Sequence, residues 1–131
     1  MKINVKATNL DLTPAISDYI DKKISSVKKF LPTEVAPDGY VYGVVTDVEV
    51  GKTAHHKTGD IFKAEVHIMG NSLDIYAVSE QADLYMAIDM VRDEIVHNAT
   101  QLKTKRLTLT RRGAQMIKSA LKGLSSFKKR P

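Results

Sequence analysis

Apolar and polar residues alternate at the start of the chain: Ile3, Val5 and Ala7 fall on one face of a strand over residues 2–7, and Lys2, Asn4 and Lys6 on the other. The period then changes. Ile16, Ile20, Ile24, Val27 and Leu31 recur at spacings of four, four, three and four, which is one stripe of an amphipathic helix. Thr13 is placed to cap that helix, with Pro14 at the first helical position, where its missing N–H costs nothing. Pro32 should end it.

The stretch "YVYGVVTDVEV", rich in β-branched and aromatic residues, predicts a strand from about 40 to 50, and "GKTAHHKTGD" after it reads as a loop. Phe62, Ala64, Val66 and Ile68 alternate with Lys63, Glu65, His67 and Met69, and Gly70–Asn71 reads as a two-residue type II′ turn into Leu73, Ile75 and Ala77. Ser79 is placed to cap a second helix whose stripe is Leu84, Ile88, Val91, Ile95 and Leu102. The order is β-α-β-β-β-α. Two helices with one apolar stripe each fit one face of a four-stranded sheet, an α+β fold. Beyond Lys105 the pattern weakens. Ala114, Ile117, Leu121 and Leu124 form one side of a short basic helix bracketed by Gly113 and Gly123, about ten residues long and marginal alone in water. The expected organisation is a folded domain over residues 1–106 and a basic extension over residues 107–131 that is flexible or ordered on binding.

At 131 residues the chain can bury one core and not two. It has no cysteine, which excludes disulfides and thiolate metal sites. Its N-terminal stretch lacks the apolar run of a signal peptide or membrane span, so a cytoplasmic protein is the expectation. The formal charge of +5 hides a sharp division: residues 1–100 carry ten Lys and Arg against fifteen Asp and Glu, whereas residues 101–131 carry ten against none. A block of one sign beside an acidic body marks an arm for nucleic acid or an anionic membrane; the plainer account is a solvated terminus that aids solubility. A second basic patch lies off the apolar stripe of the first helix at Lys22, Lys23, Lys28 and Lys29, where Lys22 and Lys29, seven apart, project from nearly the same side.

Three motifs carry no chemistry. "VGKT" at 50–53 resembles the end of a phosphate-binding loop, but it lacks the earlier glycine, where Thr46 stands, and precedes no helix. His55 and His56 lie in a polar loop far from His67 and His97, short of the three or four ligands a zinc site takes. "NAT" at 98–100 falls in a predicted helix of a chain without a secretion signal. No hydroxyl is paired with a base, and acid pairs such as Asp93–Glu94 are solvated neighbours; nothing argues for an enzyme, a cofactor or a small-molecule substrate.

"NLDLTPAISDYIDKKISSVKKF" and "GDIFKAEVHIMGNSLDIYAVSEQADLYMAIDMVRDEI" together resemble the ribosome hibernation factor family, also known as ribosome-associated translation inhibitors or subunit-interface proteins. The first is similar to the family's strand, ThrPro turn and helix ending in Lys before an aromatic; the second to its hairpin and second-helix start. The likeness spans roughly residues 1–105, the family's short form. It implies a plug that binds the small ribosomal subunit near the decoding region, where messenger and transfer RNA would lie, so that translation stops and the idle ribosome is preserved. Longer members carry a further domain that pairs two ribosomes, and this chain looks too short to contain it. A monomer is expected off the ribosome.

By position, Lys23 and Lys29 match basic sites of the family's first helix, and Tyr85 and Ile88 its second-helix core. The second helix departs from the pattern: Glu94, His97 and Gln101 stand where positive charge is common, although Arg92 replaces part of it. The missing charge reappears at Lys103, Lys105, Arg106, Arg111 and Arg112, so the expected RNA-binding set is these five with Lys22, Lys23, Lys28, Lys29 and Arg92. Ribosomal RNA would be read by phosphate position, with counterion release making affinity fall steeply with salt. Two other readings use the same charges: a general RNA-binding module or chaperone, and a peripheral membrane protein whose residues 111–130 lie on anionic lipid.

Overall fold

The computed structural model describes the backbone of residues 1–56 and 59–128, and side chains outside 54–58, 117 and 119–131. Lys57, the His55 and His56 side chains, and the apolar side expected of Ile117, Leu121 and Leu124 fall outside the described residues. The elements are β1 (Lys2–Thr8), α1 (Pro14–Ser25), a 3₁₀ turn (Lys28–Phe30), β2 (Val45–His56), β3 (Gly59–Gly70), β4 (Leu73–Gln81) and α2 (Leu84–Lys128). This is the expected β-α-β-β-β-α order. Two compact units are present, Met1–Thr100 and Gln101–Pro131.

Within the first unit the strands lie in the order β1-β2-β3-β4, with β1 parallel to β2 and the other neighbours antiparallel. Alternation along each strand sorts the faces. Val48, Val50, Ala64, Val66, Ile68, Ile75 and Ala77 are buried on one side with Ile20 and Ile24 of α1 and Ala87, Ile88, Val91, Ile95 and Ala99 of α2. The other side is a polar weave in which Asn4 donates to Asp47 at 3.0 Å, Thr8 to Glu49 at 3.0 Å, Tyr76 to Glu65, and His67 sits 2.5 Å from Asp74. One-sided burial is what a sheet needs when both helices share a face.

Helix α1 begins as the sequence predicts: the Thr13 hydroxyl accepts the Ile16 N–H at 3.2 Å and Pro14 opens the first turn. It closes earlier than the apolar stripe suggested, because the chain tightens into the 3₁₀ turn after Ser25, which still buries Val27 and Leu31. Lys22 and Lys29 therefore do not share one α-helical face.

Further expectations are corrected. The strand read at 40–50 is β2 at Val45–His56, so most of the presumed loop "GKTAHHKTGD" lies in the β2–β3 ladder, and the "GKT" motif is plain strand. Positive φ at Gly43, 78°, bends the chain ahead of the ladder. The β3–β4 turn centres on Asn71 and Ser72, with φ of 50° and 64°, the geometry of type I′; Gly70 pairs with Leu73 instead of forming the turn. Ser79 stays in β4, and Asp83 caps α2 by accepting the Tyr85 N–H at 3.0 Å. Helix α2 also continues through Gly113 and Gly123 and is not bracketed by them. A helical glycine costs only about 1 kcal/mol relative to alanine, and Lys, Arg, Gln, Met and Ala around it favour the helix.

Gly70 is fixed by its neighbours as well as by its φ of 117°: a Cβ there would lie 1.9 Å from the Gly43 carbonyl oxygen. Gly70→Ala should lower the urea unfolding midpoint by the equivalent of about 2 kcal/mol or more. Gly39→Ala, at φ 82° but with nothing within 4 Å, should cost about 1 kcal/mol.

Candidate nucleic-acid interface

On the side of the helix pair away from the sheet, α1 and α2 are joined by polar contacts. Tyr19 donates its hydroxyl to Asp89 at 2.5 Å, Lys23 pairs with the same carboxylate at 3.2 Å, and Tyr85 meets the Tyr19 ring edge-on at a centroid distance of 4.9 Å. Lys23 also stands 5.5 Å from the Tyr19 ring centroid. This arrangement corrects the placement of Tyr85 in the core. It is 40% exposed, whereas Ile88 is 1% exposed and fully in the core.

A second cluster forms where the 3₁₀ turn meets α2. The Ser26 hydroxyl donates to the Lys23 carbonyl at 2.5 Å and accepts the Arg92 Nε–H at 3.0 Å, while Arg92 also contacts Asp93 at 3.1 Å. Phe30 lies under two cations at once: Lys29 Nζ is 5.2 Å and the Arg92 guanidinium carbon 5.7 Å from its ring centroid. Held by Ser26 and the ring, the guanidinium is oriented before any ligand arrives, which lowers the conformational entropy lost on binding.

Of the ten expected cations, the structure therefore brings Lys29 and Arg92 together around Phe30 and ties Lys23 to Asp89. Lys22 is exposed and Lys28 half-buried. Lys103, Lys105, Arg111 and Arg112 are exposed and Arg106 half-buried on the α2 segment of the second unit. Lys105 and Arg112, seven apart, share one side of that helix, and Lys103 and Arg106, one turn apart, lie on another. The cations of the second unit thus encircle the helix instead of lining a single stripe. Among the described residues, no three His, Asp or Glu side chains converge on a metal position, and no helix is long and apolar enough to cross a membrane.

Sequence reasoning missed Tyr19, Ser26 and Asp89. The only signal was position: Tyr19 and Lys23 are four apart on one helical side, and Asp89 is an acid next to Ile88 of the apolar stripe. Their partners are 66 and 70 residues away in the chain.

A small α+β domain whose paired helices display cations outward, away from the sheet, is the class this arrangement defines. The chain belongs to the Sigma 54 modulation protein / S30EA ribosomal protein family, whose profile matches residues 3–107. It is similar to the ribosome hibernation promoting factor of Klebsiella oxytoca, 30% identical over 105 residues that make up 80% of this chain and 96% of that one. The factor of the same name from Azotobacter vinelandii is 27% identical over 107 residues, 82% of this chain and 87% of the relative. The ribosome hibernation promotion factor of Picosynechococcus is 28% identical over 105 residues, 80% of this chain, and the matched region spans only 50% of that relative. The Thermus thermophilus Protein Y N-terminal domain shares the fold at a TM-score of 0.61 and 23% identity, over 78% of this chain and 99% of that one. A ribosomal subunit interface protein from Coxiella burnetii does so at 0.58 and 15%, over 79% and 99%. The resemblance drawn from the sequence is borne out.

The Asp89 carboxylate, chiefly through its hydrogen bond, pushes the Tyr19 hydroxyl up to about 12 from an ordinary 10.0. Because the folded value is raised, the stability this bond contributes is complete below pH 10 and is lost as pH rises through about 12. In Asp89→Asn, the Tyr19 ring signal followed by nuclear magnetic resonance should titrate closer to the ordinary value. An unchanged midpoint would show that Asp89 is not the cause.

Proposed function

We propose that this protein is a ribosome hibernation factor: it binds the small ribosomal subunit at the subunit interface near the decoding region, excludes messenger and transfer RNA, and so stops translation while preserving the idle ribosome. It is a binding protein and not an enzyme. It works in the cytoplasm as a monomer until it meets the ribosome. Family membership and the names of the relatives support the ribosome as partner. The observation that carries the RNA-facing part is the Lys29–Phe30–Arg92 cluster, in which cations from two separate segments are fixed at one place before binding.

The mechanism is electrostatic positioning. Phosphates of folded ribosomal RNA replace water around Lys22, Lys29 and Arg92, and the release of condensed counterions supplies much of the affinity. Single-site recognition then needs the right spacing of phosphates and little base reading. Residues 1–100, with their acidic excess, orient the domain by repulsion, and Lys103, Lys105, Arg106, Arg111 and Arg112 of the second unit add phosphate contacts of their own.

Charge reversal at Lys29 and Arg92 together should weaken co-sedimentation with small subunits by about ten- to a hundredfold and flatten its salt dependence by about one to two logarithmic units per decade of salt. Unchanged binding at both low and high salt would mean that these are ordinary solvated side chains. Equal binding of the unaltered chain to free RNA and to small subunits would favour a general RNA-binding module instead.

A further inference from the structure

The stretch from Pro32 to Val44, read from sequence as a loop running into a strand, is a built platform. The Ala36 N–H donates to the Tyr40 carbonyl at 2.9 Å and the Gly39 N–H to the Ala36 carbonyl at 2.8 Å. Asp38 accepts the Tyr40 N–H at 2.9 Å through one oxygen and the Tyr42 hydroxyl at 2.8 Å through the other. From the β3–β4 turn, the Asn71 side chain donates to the Tyr42 carbonyl at 2.6 Å. Gly43 admits this approach, since a Cβ there would lie 2.6 Å from the Asn71 side-chain oxygen. Val41 and Val44 anchor the segment in the core, fully or nearly buried.

The platform presents aromatic surface to solvent. The Tyr40 and Tyr42 rings pack at a centroid distance of 4.5 Å and a tilt of 58° while remaining 39% and 60% exposed, with Val35 also exposed nearby. Beside them runs an open groove of about 570 Å³ lined by Thr33, Glu34, Val35, Pro37, Tyr42 and Asn71. Folding does not require these rings to be exposed, and a pinned tyrosine at the edge of a groove, as Tyr42 is, is a group that anchors protein interfaces at little entropic cost.

Charge selects the occupant. Residues 32–44 contain Glu34 and Asp38 and no Lys or Arg. The Tyr40 N–H and then the Tyr42 hydroxyl hold the Asp38 carboxyl below its ordinary range, so the platform keeps its negative charge. Asp38 also faces the Met1 ammonium, so the carboxylate offered to an incoming cation is that of Glu34 in the groove. An arginine side chain is matched twice, because its guanidinium stacks on a tyrosine face and hydrogen-bonds a carboxylate in the same pose.

We propose that the Tyr40–Tyr42 platform docks an arginine-bearing segment of a basic protein. This deepens the ribosome reading and rests on it for the partner's location: the protein grips RNA with its helix pair and a ribosomal protein with this loop. To test it, Val35, exposed in the same groove, is replaced by a photo-reactive benzoyl-phenylalanine, the ribosome complex is irradiated, and the adduct is identified by mass spectrometry. An adduct with an arginine-containing protein peptide is expected; an adduct with RNA, or none from a chain that still co-sediments, would overturn the proposal.

A titration independent of ribosomes separates this proposal from the functional reading. An arginine–glycine repeat peptide should shift the Tyr40 and Tyr42 ring signals, and Glu34→Gln, which leaves the Asp38 turn intact, should weaken that response several-fold. A glutamate–glycine peptide and a short uridine oligonucleotide should leave the rings unmoved. Ring shifts with the oligonucleotide, or none with the arginine peptide, would defeat the platform proposal even where ribosome binding is intact. If the chain does not bind ribosomes yet the rings answer the arginine peptide, the docking chemistry stands and the ribosomal location falls.

Discussion

Both helices bury their apolar stripes on a single face of the sheet, and most of what this chain can do follows from that constraint. Ile20, Ile24, Ile88, Val91 and Ile95 point into the core, so the side chains on the far sides of α1 and α2 are free of packing duty. Burial of roughly 1.5–3 kcal/mol for each such aliphatic side chain fixes the two helices against the strands. The contacts between their outer sides are then set to within hydrogen-bond tolerance, and Tyr19, Ser26, Phe30, Asp89 and Arg92 are the residues that meet there.

The charge arrangement at that meeting line is not uniformly positive. Asp89 sits among the cations, engaged by Tyr19 and Lys23, and Asp93 engages Arg92. Half-exposed pairs of this kind contribute little to stability, about 0–1 kcal/mol each. Their effect is directional: they hold long cationic side chains in defined rotamers, and under the proposed function an RNA phosphate would replace the carboxylate as partner. On the proposed function such a surface would favour one phosphate geometry, in contrast to the general attraction that a +10 segment beyond Thr100 exerts on any polyanion.

Much of the fold was legible because it rests on local rules. The Thr13–Pro14 start, the alternation in β1, β3 and β4 and the α2 stripe through Ile95 each depend on side chains a few residues apart. The errors came where two local signals competed or where a distant partner decided. "YVYGVV" has strand composition, yet positive φ at Gly43 and the hydrogen bond from Asn71 turn it into a platform. Gly70–Asn71 looked like a hairpin turn, but the close approach of the Gly43 carbonyl to Gly70 places that glycine in the ladder and moves the turn one residue on. At the interface the cations themselves were visible as residue types. Their grouping was not, because Phe30 and Arg92 are joined only by the packing of the 3₁₀ turn against α2.

Whether the outer side of the helix pair fits one place on the small subunit is read by hydroxyl-radical footprinting of small-subunit RNA with the full chain bound. Protection confined to a few phosphates lining the decoding region, and lost when Lys29 and Arg92 are reversed in charge, is expected. Protection scattered over the subunit, or a footprint indifferent to that reversal, would contradict that fit.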